Sequence, residues 1–381
     1  MDKAESKPAA KTGAGLEGVV AAESAIGDVD GVNGVLIYQG LNIHDLAEHS
    51  TFEETIYLLW HGRLPKRDEL DALRQELAAN RRVPEEVFAL MRQFPKDAEP
   101  MDALRTAVSA LAFYDPGARD LSREGALRTA TRLTAQFPVV VAAIERLRKG
   151  QEPVEPRADF NIATNFLYML TGEEPEAREA RIFDQCLILH ADHELNASTF
   201  TSRVIAGTLA DMYGAVTGAI AALSGPLHGG ANTNVMKMLL EIGEPARADE
   251  WLRAALASKR KIMGFGHRVY KTEDPRSVWL RKFSRELAEA KGETRWIEIL
   301  ERLRELMFAE KKLYPNVDYY SGSAYYQMGI PLDLFTPIFA VSRISGWTGH
   351  VLEQYANNRL IRPRAEYIGP RDVPYVPIDE R

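Results

Sequence analysis

Residues 199–223 read TFTSRVIAGTLADMYGAVTGAIAAL, and Ala206, Gly207, Ala210, Gly214, Ala215, Gly218, Ala219, Ala221 and Ala222 among them are all small. Small side chains let helix axes approach closely, so this run is expected to lie buried between helices or between subunits. Arg203 and Asp211 interrupt it, and Gly225-Pro226 ends it before a bilayer-spanning length, which argues against a membrane segment.

Outward from this segment the helical signal repeats. Thr51 and Glu54 have the spacing of a capping box and stand directly before Ile56, Leu58, Leu59 and Trp60. Leu70, Leu73 and Leu77 recur at helical spacing after Pro65, and Leu104, Val108, Leu111 and Ala112 do so before the turn Asp115-Pro116-Gly117. The one strand signal is at residues 29–38, where Asn33-Gly34 between apolar runs predicts a small hairpin. Pro363, Pro370, Pro374 and Pro377 predict an extended arm over residues 362–381, either docked on a partner subunit or free. No repeat of fixed period is present, and the fold class expected is all-α with a small N-terminal β-hairpin.

The totals narrow the function. With 381 residues, 45% of them hydrophobic, the chain can bury a large core, and its length suggests two domains. Lys and Arg number 47 against 54 Asp and Glu, a net charge of -7, which argues against a nucleic-acid or membrane-surface binder. Any anion site must be local. The lone Cys186 lies in an apolar helical run and reads as a buried, inert thiol. Residues 1–14 are poor in apolar side chains and carry no apolar signal core, so a disordered lead-in and a cytoplasmic protein are expected.

Four stretches carry candidate chemistry. In HADHELN, residues 190–196, His190 and His193 stand three apart and could share a helix face. A metal pair is one reading, but no further ligands follow at matching spacing, and capping or core hydrogen bonding competes with it. In GPLHGGAN, residues 225–232, His228 falls near a helix start, where the dipole would keep the imidazole neutral and fit to donate to a carbonyl oxygen. A turn that merely contains a histidine is the alternative. In GFGHRVYK, residues 264–271, His267 sits in a glycine-flanked loop with Lys259, Arg260, Lys261 and Arg276 nearby, the densest positive charge in the chain. Such a loop suits phosphates or carboxylates, against the alternative of a solvated basic helix face, and its glycine spacing is not that of a dinucleotide or P-loop motif. In NVDYYSG, residues 316–322, Asp318 among aromatic side chains could be a general base of raised pKa, or simply the acceptor of an Asx-turn. One carboxylate, two histidines and Arg276, Arg343 and Arg362 could together remove a carbon-bound proton, stabilise an enol and hold a dianionic acceptor; no serine or cysteine nucleophile motif competes.

At these motifs the sequence resembles the citrate synthase family, from GLEGV at residues 15–19 to Arg362-Pro363, with GFGHRVYKTEDPR at residues 264–276 as the most specific match. The resemblance implies an all-α, two-domain helical fold: a large domain of residues 15–229 and 330–381 that forms the dimer interface, and a small domain of residues 230–329 that closes over the substrates. It implies that acetyl-coenzyme A condenses with oxaloacetate to give citrate and free coenzyme A. In that scheme Asp318 takes the methyl proton, neutral His228 donates to the thioester oxygen, and His267 polarises the keto carbonyl. Water then hydrolyses the thioester. His193, Arg276 and Arg343 would bind the oxaloacetate carboxylates, joined by Arg362 from the other subunit, while Lys259, Lys261, Arg268 and Lys271 would face the coenzyme A phosphates. No metal and no cofactor are implied beyond the coenzyme A thioester, which is a substrate. The match starts so near the beginning that an extra N-terminal domain is not expected, and a simple homodimer is. Synthases that use propionyl-coenzyme A and make 2-methylcitrate share every motif quoted. Two readings from other classes remain beside this one: a non-catalytic helical protein that binds coenzyme A, and a helical metalloprotein built on His190 and His193.

Overall fold

The computed structural model describes residues 14–16 and 18–381; the expected lead-in over residues 1–14 lies outside the described residues except for Ala14. Sixteen α-helices and one small sheet make up the described chain. Strands β1 (Gly27–Asp30), β2 (Val35–Tyr38) and β3 (Leu41–Asn42) come first. The helices are α1 (Ile43–His49), α2 (Phe52–His61), α3 (Arg67–Ala79), α4 (Glu85–Met91), α5 (Pro100–Leu111), α6 (Arg123–Arg148), α7 (Ile162–Thr171) and α8 (Ala177–His190). They continue as α9 (Ala197–Ala206), α10 (Met212–Leu223), α11 (Ala231–Ile242), α12 (Ala248–Ala257), α13 (Pro275–Lys291), α14 (Arg295–Lys311), α15 (Val317–Gln327) and α16 (Phe335–Ala356). No helix among the described residues is long and apolar enough to cross a membrane.

Local signals settle the helix ends. Thr51 accepts from the Glu54 N–H while the Glu54 carboxylate accepts from the Thr51 N–H, so the predicted capping box is present. Leu70, Leu73 and Leu77 of α3, and Leu104, Val108 and Leu111 of α5, point into the core as their spacing requires. The small-residue run is two helices rather than one. α9 and α10 meet across the break at residues 207–211, and a Cβ on Gly218 would stand 2.2 Å from the Ile205 side chain. Glycine there is what allows the close approach. Among the buried elements α16 is central, packed against α6, α9, α10, α2 and α8.

The hairpin is longer than predicted. β1 pairs antiparallel with β2 from Gly27↔Tyr38 to Asp30↔Val35, and β2 pairs with the short β3. Its turn spans residues 31–34, held by the Asp30 carboxylate accepting from the Val32 and Asn33 N–H groups. Gly31 and Gly34 face residues 269–273: a Cβ on Gly31 would lie 2.3 Å from the Val269 carbonyl oxygen, and the Gly31 carbonyl accepts from the Lys271 N–H at 2.7 Å. The sheet therefore props up the loop that follows His267.

Beneath α2 and α7 two buried carboxylates serve helix starts: Asp184 accepts from the Phe52 N–H at 3.2 Å and Glu53 from the Ile162 N–H at 2.8 Å. Burial and the neighbouring Glu53 push the Asp184 carboxyl up to about 7. Because the folded state raises this pKa, ionisation opposes folding: the penalty is absent below the ordinary carboxyl pKa, grows as pH rises, and is complete above about 7. Asp184→Asn keeps an acceptor for Phe52, so its thermal midpoint is expected to match the wild type at acidic pH and to exceed it by a few degrees at alkaline pH. A calorimetric series across pH checks this, and a midpoint lowered equally at all pH values would contradict it.

Candidate active site

The loop carrying His267 and the start of α15 are one unit. The Gly264 carbonyl accepts from the Asn316 N–H at 2.9 Å, the Gly266 N–H donates to the Tyr314 carbonyl at 3.0 Å, and the Asn316 amide donates to the Gly266 carbonyl at 2.9 Å. Gly264 has φ +80°, and a Cβ on it would stand 2.7 Å from the Tyr319 ring. Asn316 caps α15 by accepting from the Asp318 N–H at 3.0 Å, which places Asp318 in the first helical turn rather than as the acceptor of an Asx-turn. The Asp318 carboxyl, partly exposed, has no hydrogen-bond or ion-pair partner among the described residues. Burial pushes it up to about 6; Arg276 and Arg343 oppose that shift and Asp274 adds to it. It is a carboxylate tuned close to neutrality and left free to accept a proton.

Each histidine is held in one tautomer. His267 Nδ1 accepts from the Val269 and Tyr270 N–H groups at 3.0 and 3.1 Å, so the proton resides on Nε2. His228 Nε2 accepts from the Ser198 N–H at 3.3 Å, with the Ser198 hydroxyl at 2.8 Å, which leaves the proton on Nδ1. Both rings are neutral, lowered to about 4, chiefly by burial and then by Arg343 for His228 and Arg276 for His267. The expected neutral His228 is present in the turn after α10, two residues before the Gly230 that caps α11, and burial is the largest cause that lowers it.

His190 and His193 do not share a helix face. His190 ends α8 and turns inward, its Nδ1 donating to the Cys186 carbonyl at 2.7 Å and its ring edge-on to Phe339. His193 lies beyond the helix, 3.3 Å from the Tyr270 hydroxyl and with its ring 5.3 Å from that of His267. The geometry that the metal reading required is therefore missing.

Two buried guanidinium groups border this space. Arg276 is paired twice with Asp274, at 2.9 and 2.7 Å, so its charge already has a counter-ion. Arg343 is different: 1% exposed, it donates Nε–H to the His190 carbonyl at 2.7 Å, lies over the Phe339 ring, and has no ion pair among the described residues. Burial lowers it to about 10, so it is charged at neutral pH. An unpaired buried cation is costly unless an anion arrives to meet it. The Arg343 charge acts on His228, His193 and Asp318, and that of Arg276 on His193, His267 and Asp318, so these six side chains lie within electrostatic reach of one another.

The basic residues 259–271 divide. Arg260 is clamped by Glu241 at 2.7 Å and stacks over Trp251, whereas Lys259, Lys261, Arg268 and Lys271 are exposed. Arg362 is exposed on the C-terminal segment and makes no hydrogen bond or ion pair with the other site residues among the described residues. Sequence reasoning overlooked Asp274 and Ser198. Asp274 had a signal, since Asp-Pro before an apolar stripe marks a helix start. Ser198 had none; only the packing of α9 against the turn after α10 brings it to His228.

The helical fold gathers an unpaired carboxylate, two neutral imidazoles and a buried arginine without a counter-ion, and likeness to known proteins gives the class, an enzyme that transfers an acyl group. Residues 15–364 match the family model described as citrate synthase, C-terminal domain. Citrate synthase 2 of Bacillus subtilis is 55% identical over 368 residues, 96% of this chain and 98% of that protein. The citrate/2-methylcitrate synthase of the same organism is 43% identical over 358 residues, covering 94% and 96%. The ternary complex of carboxymethyl coenzyme A and oxaloacetate with citrate synthase from Thermoplasma acidophilum superposes with a TM-score of 0.91 at 34% identity, covering 97% of this chain and 99% of that one. The chain belongs to the citrate synthase family.

Proposed function

We propose that this protein condenses acetyl-coenzyme A with oxaloacetate and water to citrate and free coenzyme A. The observation that carries the reading is an unpaired Asp318 and a neutral His228 set about the same buried Arg343. Asp318 takes a proton from the acetyl methyl while His228 Nδ1–H donates to the thioester oxygen, giving an enol. His267 Nε2–H polarises the keto oxygen of oxaloacetate, whose carbonyl carbon the enol attacks. Arg343 anchors an oxaloacetate carboxylate, with His193 and Arg276 beside it. Water then hydrolyses the citryl thioester, releasing the thiol. Residues 230–329 serve as a small domain that closes on a large one formed by residues 15–229 and 330–381, excluding water while the enol exists. Lys259, Lys261, Arg268 and Lys271 face the coenzyme A phosphates.

Thiol release from acetyl-coenzyme A with oxaloacetate tests the reading, with propionyl-coenzyme A run alongside because one relative is named for both citrate and 2-methylcitrate. Faster turnover of acetyl-coenzyme A is expected; preference for propionyl-coenzyme A makes the protein a 2-methylcitrate synthase. Binding of coenzyme A without consumption of oxaloacetate would make it a non-catalytic binder.

A homodimer completes the site in this reading. Beyond α16 the chain carries no α-helix, and the arm expected to be extended over residues 362–381 closes in a short 3-10 turn at Ile378–Glu380; Leu360, Tyr367, Ile368, Val373 and Tyr375 are all exposed along it, and α10 presents Gly214 and Ala221 on an uncharged outer face. Arg362 reaches the partner's oxaloacetate. Arg362→Ala and Asp318→Asn chains are each expected to be nearly inactive, and a co-assembled equal mixture should recover about a quarter of wild-type activity, since each mixed dimer holds one intact site. Recovery no greater than the parents' own activity would place Arg362 in its own subunit's site or in none.

A further inference from the structure

The turn that carries His193 is braced from behind by a buried chain of polar groups. Asp192 and His350 are both fully shielded from solvent, and His350 Nε2 donates to Asp192 Oδ1 at 3.1 Å. The tautomer follows from the other ring nitrogen: Arg203 Nη1 stands 3.2 Å from His350 Nδ1, and a guanidinium can only donate. Arg203, itself buried, is held by the Glu353 carboxylate and by Gln354 Oε1 at 3.0 Å. Glu353 Oε1 in turn accepts from the Ala25 N–H at 2.8 Å. A neutral imidazole and a guanidinium thus stand between two carboxylates, and every group in the line has a partner.

Asp192 spends its remaining acceptors on the turn. Its Oδ2 accepts from the Glu194 N–H at 3.0 Å, and its main-chain carbonyl accepts from the Tyr38 hydroxyl at 2.9 Å. Glu194 has φ +53°, a conformation that a residue with a side chain keeps only where its surroundings impose it. The space round Asp192 is closed to anything larger: a Cβ on Gly27 would stand 2.6 Å from Oδ2, and one on Gly346 would stand 2.8 Å from Oδ1. Arg343, Gly346, His350 and Glu353 lie at helical spacing along one face of α16, so the anion-binding arginine and the brace share a rigid element.

We propose that Asp192, held by His350 and behind it by Arg203, is the positioning carboxylate of the oxaloacetate subsite, an inference that rests on the functional reading above. It fixes the turn from which His193 faces the substrate and from which the His190 carbonyl aims Arg343. The group never touches substrate. It acts by holding two groups that do, so its loss loosens oxaloacetate and leaves the thioester side of the site intact.

His350→Ala is the variant to measure, in the full-length protein, by initial-rate thiol release with each substrate varied. The expected result is an oxaloacetate KM raised roughly tenfold or more, with kcat and the acetyl-coenzyme A KM within about twofold of wild type. His350→Gln, whose amide can again donate to Asp192, should restore most of the lost affinity. A brace with a merely structural role would lower the thermal midpoint and leave the oxaloacetate KM of the folded protein unchanged, and that result overturns the inference. Should His350→Ala fail to fold, Glu353→Gln at the partly exposed end of the line carries the test: about a threefold rise in the same KM supports the inference and no rise overturns it. Absence of thiol release by the wild-type protein would remove the functional reading and this inference together, whereas an active wild type with insensitive variants removes the inference alone.

Discussion

Asp318→Asn is expected to fold normally and to turn over at least about a hundredfold more slowly, the loss typical of removing a general base. Asparagine preserves the shape of the first turn of α15 and the backbone bond to Asn316, so neither the helix nor its junction with the His267 loop should change. What disappears is a carboxylate that has no partner among the described residues and lies under the influence of Arg276 and Arg343. The same residue fixes the pH profile. The base must be ionised to act and its pKa is about 6, so kcat/KM should fall about tenfold for each pH unit below that value. His228 and His267, at about 4, are already neutral over that range and should contribute nothing to the limb. Wild-type-like turnover by the variant, or an acid limb centred well away from pH 6, would defeat the assignment of Asp318 as base.

His228→Ala should lower kcat by roughly a hundredfold to a thousandfold, the range for losing one preorganised donor at a developing oxyanion. The reason lies in the hydrogen-bond pattern: Ser198 occupies Nε2 and leaves Nδ1–H to point elsewhere. Burial keeps the ring from being protonated, so it acts as a neutral donor that is itself a very weak acid, matched to the enol oxygen rather than to a fixed negative charge. Oxaloacetate binding should change little, because Arg343 and His193 do not depend on this ring for their placement. A change confined to KM for acetyl-coenzyme A would make His228 a plain binding residue.

Much of this was legible in the amino-acid sequence. Helix positions followed from capping pairs such as Thr51 and Glu54 and from leucine spacing in α3 and α5, because those signals act within one or two turns. Position 318 was legible as a carboxylate among aromatic side chains, and its raised pKa follows from that burial. Other features were not. Residues 199–223 looked like one segment, but the chain breaks between α9 and α10, where Asp211 caps the second helix by accepting from the Gly214 N–H and Gly218 packs on Ile205 across the pair. His190 and His193 stood three apart in sequence, yet α8 ends at His190 and sends the two rings into different surroundings.

The sequence by itself determined the helical class and the family, and it singled out the acid, the imidazoles and the arginines of the proposed site, since these depend on residue type and on short-range spacing. Tertiary structure alone decided which tautomer His228, His267 and His350 hold, that Arg276 is already paired while Arg343 has no ion pair among the described residues, and that Asp192 stands behind the turn that carries His193. The physical reason is that protonation and charge balance are set by partners far away in the chain, such as Ser198 for His228 and Arg203 for His350, which only the folded packing brings within hydrogen-bonding distance.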